Sequence, residues 1–172
     1  LYDWGVSTPL DTVPNVIGTD LDQGHLVGRT DDGFDAFVVS PAGAAPTTSF
    51  TGRTVALDGE RLFVSHDDGI VTIHEFAGGA WNEIDSLDVG VTPDLLGAHS
   101  EWFTLASAWP DAPELRFYRR TPQGWFEAAA FEDGAHAAAP LWALPSEHVF
   151  VTQLNERFAL MRPSVCAIEA VP

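Results

Sequence analysis

Glu60-Arg61-Leu62-Phe63-Val64-Ser65-His66-Asp67-Asp68-Gly69-Ile70-Val71-Thr72-Ile73-His74-Glu75-Phe76 reads as two short alternating runs folded about an Asp-Gly pair. Val71, Ile73 and Glu75 fall on one side, Thr72 and His74 on the other. That period of two belongs to a strand and not to a helix. Asp-Gly between two such runs is a hairpin signal, because glycine supplies the positive φ of a tight turn.

The opening phrase returns along the chain. Gly24-His25-Leu26-Val27-Gly28, Glu101-Trp102-Phe103-Thr104-Leu105 and Glu147-His148-Val149-Phe150-Val151 echo Glu60 to Val64, so the phrase begins at 24, 60, 101 and 147, at intervals of 36, 41 and 46 residues. An apolar segment precedes each copy, at 15–19, 54–57, 94–98 and 140–144. A turn and a third segment follow, at 34–40, 70–76, 114–120 and 157–162. A further turn leads to a fourth segment, at 47–51, 81–87, 125–131 and 165–171. Four short strands in a unit of about forty residues, repeated, describe the blades of a β-propeller.

The expectation is therefore an all-β, propeller-like array of four four-stranded antiparallel blades, either a small closed ring or part of a larger one. The units run approximately over 14–52, 53–90, 91–134 and 135–172 of a single domain, 1–172, with 1–13 as a leading strand or clasp. The twelve prolines and fifteen glycines fall mainly between the strands, where an all-β chain places them. The Ala-rich stretch 127–139, broken by Gly134 and closed by Pro140, leaves room for one short helical turn.

Charge narrows the function. There are 25 acidic residues against eight basic ones, all arginine, for a formal net charge of −17. Such a surface repels nucleic acid and anionic lipid, and no run reaches the roughly 18 to 20 apolar residues that cross a bilayer. The acidity fits a solvated exterior, a high-salt milieu, or a face for cations or basic partners. A chain that opens on Leu1 with no basic leader agrees with a targeting peptide already removed or lying outside this sequence. Cys166 stands alone, which rules out an intrachain disulfide and leaves a small buried hydrophobe or a bond to another chain.

The stretch 54–64, with Asp67-Asp68-Gly69, Val71 to Phe76 and Gly79-Ala80-Trp81, resembles an FG-GAP-type, integrin-α-like propeller repeat, best over 52–87. The resemblance implies an exported protein, extracellular or in the cell envelope, that binds a protein or glycan partner, often with Ca2+ in blade loops. It also implies seven blades where four are counted here. That family's calcium loop is Asp-x-Asp/Asn-x-Asp-Gly; Asp20 and Asp22 match its first two carboxylates and are the candidate metal ligands. The alternative is that each aspartate caps its own turn.

Paired acids recur at the hairpins between second and third strands: Asp31-Asp32 and Asp67-Asp68, with Asp111 and Glu156 in the matching loops. A propeller gathers equivalent loops on one face, so these residues and His66 form the candidate ligand-binding set. The aromatic pairs Trp102-Phe103, Trp125-Phe126 and Tyr118-Arg119 are expected to pack between blades. No Gly-x-Ser-x-Gly elbow, His-Glu-x-x-His or phosphate-cradling glycine loop occurs, and no catalytic residue is assigned. The leading expectation is a non-enzymatic exported binding or structural module that presents an acidic loop face to a protein, a glycan or a sibling subunit. The alternative is a propeller-type hydrolase acting on carbohydrate through paired loop carboxylates.

Overall fold

The computed structural model describes residues 17–107, 114–132, 142–144, 149–154, 157–163 and 168–171, with side-chain surroundings for 20–107 and 114–130. These residues form four four-stranded antiparallel sheets, each a simple meander in chain order. The first holds β1 (Ile17–Asp22), β2 (His25–Arg29), β3 (Phe34–Ser40) and β4 (Gly43–Phe50). The second holds β5 (Thr54–Asp58), β6 (Arg61–Ser65), β7 (Ile70–Ala77) and β8 (Ala80–Asp88). The third holds β9 (Leu95–His99), β10 (Trp102–Ser107), β11 (Glu114–Thr121) and β12 (Gly124–Glu132). The fourth holds β13 (Trp142–Leu144), β14 (Val149–Leu154), β15 (Arg157–Pro163) and β16 (Ile168–Val171).

The first strands lie beside one another in succession, β1 on β5, β5 on β9 and β9 on β13, while β4 touches β8 farther out. Sheets that converge on their first strands form a propeller-like array, as the repeat predicts. Its core lies between the sheets. Val27, Phe34 and Ala36 of the first pack against Leu57, Leu62, Val64 and Trp81 of the second. Ala56, Phe63, Val71 and Ile73 of the second pack against Phe103, Leu105 and Tyr118 of the third. Alternation along each strand makes this arrangement possible, because one set of side chains faces each neighbouring sheet.

Two expectations need correction. The fourth strand of the first unit begins at Gly43 and not at 47, because Pro46 is accommodated in it. An outermost strand tolerates a residue with no N–H to donate. The described part of the Ala-rich stretch, 127–132, is strand and not helix; it pairs with β11, with Phe117 opposite Ala129. The expected packing between blades holds for Phe103, Tyr118 and Trp125, which share a cluster with Phe63 of the second sheet, whereas Phe126 is exposed. The leading segment 1–13 and Cys166 lie outside the described residues.

Each of the first three sheets carries a register shift at the same place, between its third and fourth strands. The shifts fall at Ala36/Phe37, Ile73/His74 and Phe117/Tyr118. Thr47, Ile84 and Ala128 are the residues left over. A bulge repeated in equivalent positions adds the same local twist to each blade's outer edge.

Candidate functional site

An antiparallel meander puts the turn between its second and third strands at the same end as the connector from its fourth strand to the next sheet. That end carries the acidic turns. In the first blade Thr30 N donates to the Gly33 carbonyl at 2.9 Å, leaving Asp31 and Asp32 exposed at the tip. Both line a cleft of about 530 Å³ together with Phe34, Asp35, Ser49 and Phe50. Ser49 Oγ donates to Asp35 Oδ1 at 2.6 Å and holds that third carboxylate in place. The Arg29 guanidinium lies 5.8 Å from the centre of the Phe34 ring, so this rim already stacks one cation on an aromatic face.

The second blade's turn is built differently. Asp68 Oδ1 accepts the Ile70 N–H at 3.1 Å, so this acid closes its own turn. Asp67 is exposed and lies 3.5 Å from Arg53 Nη1. Arg53, in the connector between the first and second sheets, also donates from Nε to Asp94 Oδ1 at 3.0 Å and pairs with the same oxygen through Nη2. The hydrogen bond to Asp94 holds the guanidinium's pKa above its ordinary value. Thr92 Oγ1 completes this corner by donating to the Asp67 carbonyl at 3.2 Å.

The His66 side chain is half-buried and reaches back to β7. Its Nε2 lies 3.0 Å from Thr72 Oγ1, and His74 Nε2 lies 3.0 Å from the same oxygen. Burial lowers the His74 pKa, partly offset by the charge of Glu83. The Phe50 ring of the neighbouring blade packs edge-on to His74 at 4.9 Å.

Asp20 and Asp22 are placed elsewhere. Asp20 Oδ2 accepts the Leu57 N–H at 2.9 Å and Asp22 Oδ2 accepts the Gly59 N–H at 2.6 Å. Burial raises the Asp20 pKa, and the Leu57 amide works against that rise. Among the described residues no group of three or more His, Cys, Asp or Glu side chains is assembled as a metal cluster. Asp111 and Glu156 lie outside the described residues.

Several polar residues of the site escaped the sequence reading. Asp35 and Arg53 carry no motif. On the opposite end, Gln23, Asp58, Glu60, Arg61, Glu75 and His99 line a second recess of about 380 Å³. Arg61 Nη1 donates there to the Ser100 carbonyl at 2.6 Å, with Asp58 and Glu101 carboxylates 3.9 Å from the guanidinium. The only sequence signal was positional, since 23, 59 and 100 are the matching two-residue turns of three successive units.

Comparison with solved structures agrees with this geometry. A putative 6-phosphogluconolactonase from Bacteroides fragilis is 11% identical, with a TM-score of 0.65 over 91% of this chain and 53% of its own. The nidogen/laminin complex contains a chain 15% identical, with a TM-score of 0.61 over 86% of this chain and 60% of its own. The N-terminal domain of Nup159 is 9% identical, with a TM-score of 0.52 over 95% of this chain and 50% of its own. These neighbours are β-propeller proteins. The fold is a β-propeller arrangement. The chain spans about half the length of the first of them. No family model matches the chain, and no curated protein matches it in sequence.

Proposed function

We propose that these blades are a protein-binding module whose loop face receives a basic segment of a partner. The observation that carries the proposal is the cleft of about 530 Å³ in the first blade, which Asp31, Asp32 and Asp35 line together with Phe34 and Phe50. Carboxylates beside aromatic side chains suit a guanidinium or ammonium group, and the excess of acids across the chain steers such a partner inward. Propeller neighbours that work as protein-interaction modules in complexes support protein partners in general. The FG-GAP resemblance extends the reading to an exported, cell-surface setting and to calcium in the blade loops. A fall in melting midpoint on adding a chelator supports the calcium part, and an unchanged midpoint removes it.

The test uses an arginine-rich peptide as probe. Replacing Asp31 and Asp32 by Asn should weaken binding about tenfold, while replacing Asp85 and Asp88 on β8 should weaken it much less. Equal losses in the two double variants would mean that only total charge matters, and the cleft reading would fall.

A further inference from the structure

Asp-Gly occurs four times in this chain, at 32–33, 58–59, 68–69 and 133–134, and the last pair lies outside the described residues. The dipeptide is chemically labile, because glycine has no Cβ to shield its amide nitrogen from the carboxyl group of the residue before it. All three described pairs sit in turns between neighbouring strands. Their surroundings therefore decide which of them can react, and hydrogen bonds separate them.

Two of the three are held. The Gly59 N–H donates to Asp22 Oδ2 at 2.6 Å, and the half-buried Asp58 carboxylate has Arg61 and His99 each 3.9 Å away. Asp68 Oδ1 accepts the Ile70 N–H at 3.1 Å, while the Gly69 N–H donates to the His66 carbonyl at 3.3 Å. In both pairs the glycine nitrogen is a committed donor. Asp32 and Gly33 differ. Asp32 is exposed, and among the described residues neither its carboxylate nor the Gly33 N–H makes a hydrogen bond. The bond that closes this turn runs from Thr30 N to the Gly33 carbonyl at 2.9 Å and leaves both groups free.

We propose that the Asp32–Gly33 peptide is a self-modification site, at which the chain converts slowly and without a catalyst to isoaspartate. The Gly33 nitrogen attacks Cγ of the protonated Asp32 carboxyl group. A C–N bond forms, the amide proton and the Cγ hydroxyl leave together as one water, and a succinimide ring results. Water then adds to either ring carbonyl. Opening at Cγ restores aspartate, whereas opening at the main-chain carbonyl breaks its bond to nitrogen and leaves Gly33 joined through Cγ. The water lost in the first step returns in the second, and nothing is oxidised or reduced. The product inserts one extra carbon into the turn that sets the register of β2 on β3. It also draws the Asp32 carboxylate back onto Cα at the rim of the cleft that it lines. The proposal stands whether or not that cleft receives a partner.

The experiment ages the purified, folded chain in warm neutral buffer and measures isoaspartate by transfer of a labelled methyl group with an isoaspartyl methyltransferase. Cleavage after arginine puts each pair in its own peptide, 30–53, 54–61, 62–116 and 121–157 once the short pieces are set aside. Peptide 30–53 should gain isoaspartate at least roughly five times as fast as 54–61 and 62–116, because those pairs must first break a hydrogen bond. In urea, where the turns are lost, the three rates should converge. Asp32→Glu, which would have to close a larger and slower ring, should abolish the gain in 30–53 while keeping the charge. No isoaspartate in 30–53, or equal rates for the three peptides of the folded chain, overturns the proposal. So does a ranking that persists unchanged in urea, since neighbouring sequence and not the turn would then decide it.

Discussion

Asp20 and Leu57 join the first strands of two successive sheets: Asp20 Oδ2 accepts the Leu57 N–H at 2.9 Å, across 37 residues of chain. Asp22 repeats the contact two residues on, with Gly59 at 2.6 Å. Alternate side chains of one strand thus meet alternate amides of the next. An innermost strand presents a row of amides with no further strand to receive them, and these carboxylates supply the acceptors. The Asp-x-Asp spacing therefore has a structural use that requires no ion.

The first prediction concerns that ladder. Asp20→Ala leaves a partly buried amide without an acceptor and should cost about 1 to 3 kcal/mol, measured by urea unfolding. Asp20→Asn keeps an acceptor oxygen and removes the charge. Burial raises the Asp20 pKa above its ordinary value of 3.8. The folded state thus holds this proton more tightly than the unfolded chain does. The contribution of this group to stability is greatest below 3.8 and is lost as pH rises from there through the folded pKa. Near neutral pH, Asp20→Asn should match or exceed the native chain in stability, and that pH-dependent part should vanish. If Asp20→Asn is as damaging as Asp20→Ala, the charge itself matters and this account is wrong.

Arg53 supplies the second prediction. It ties two connectors together through Asp94 and reaches the exposed Asp67 at 3.5 Å. Two donors on one carboxylate hold better than a single contact to a fully solvated partner. Asp94→Asn should lower stability by about 0.5 to 1 kcal/mol in dilute buffer, and Asp67→Asn by almost nothing. The Asp94→Asn deficit should shrink in about 1 M salt, where the screening length falls to roughly 3 Å. A deficit that ignores salt would show that Asp94 acts through packing alone.

How much of this was legible follows from how local each feature is. The turns at Gly33 and Gly69 were visible because Asp-Gly between apolar runs is a short-range signal. Strand order followed from the repeat, since a meander needs no long-range information. The start of β4 is hidden in the sequence because a proline breaks most strands and is tolerated on an outer one. Arg53 and Asp94 lie 41 residues apart and meet only because successive connectors stack at one end of the sheets. His74 gave no sign of its partnership with His66, since their convergence depends on the angle of the intervening turn. A single sequence records alternation and turns; it does not record which charged side chains the stacking of blades brings together.

Gly33 carries the third prediction. Its φ is +151°, and a Cβ built there would stand 2.1 Å from the Phe50 carbonyl oxygen, a backbone atom. Gly33→Ala must move β4 away from the turn that bears Asp31 and Asp32, at a cost of about 3 kcal/mol or more. Gly78 has a φ of +64° with nothing near its would-be Cβ, so Gly78→Ala should cost only the backbone strain, about 1 kcal/mol. Denaturant midpoints of the two variants, measured side by side, check the difference. Equal midpoints would mean that the close approach to Phe50 does not constrain the turn.

Ser100 carries the fourth. It occupies the first position of the two-residue turn between β9 and β10, with a φ of +57° in the left-handed region. The corresponding residue of the preceding unit is Gly59, with a φ of +59°. The same backbone is thus strain-free in one blade and strained in the next. Ser100 contributes its carbonyl, not its side chain, to the hydrogen bond from Arg61 Nη1 at 2.6 Å, so glycine can replace it without losing that contact. Relief of left-handed strain outweighs the greater freedom that glycine gives the unfolded chain. Ser100→Gly should therefore stabilise the protein by about 0.5 to 1 kcal/mol, read as a higher melting midpoint at matched protein concentration. A lower midpoint would show that the serine hydroxyl makes a contribution larger than the strain it imposes.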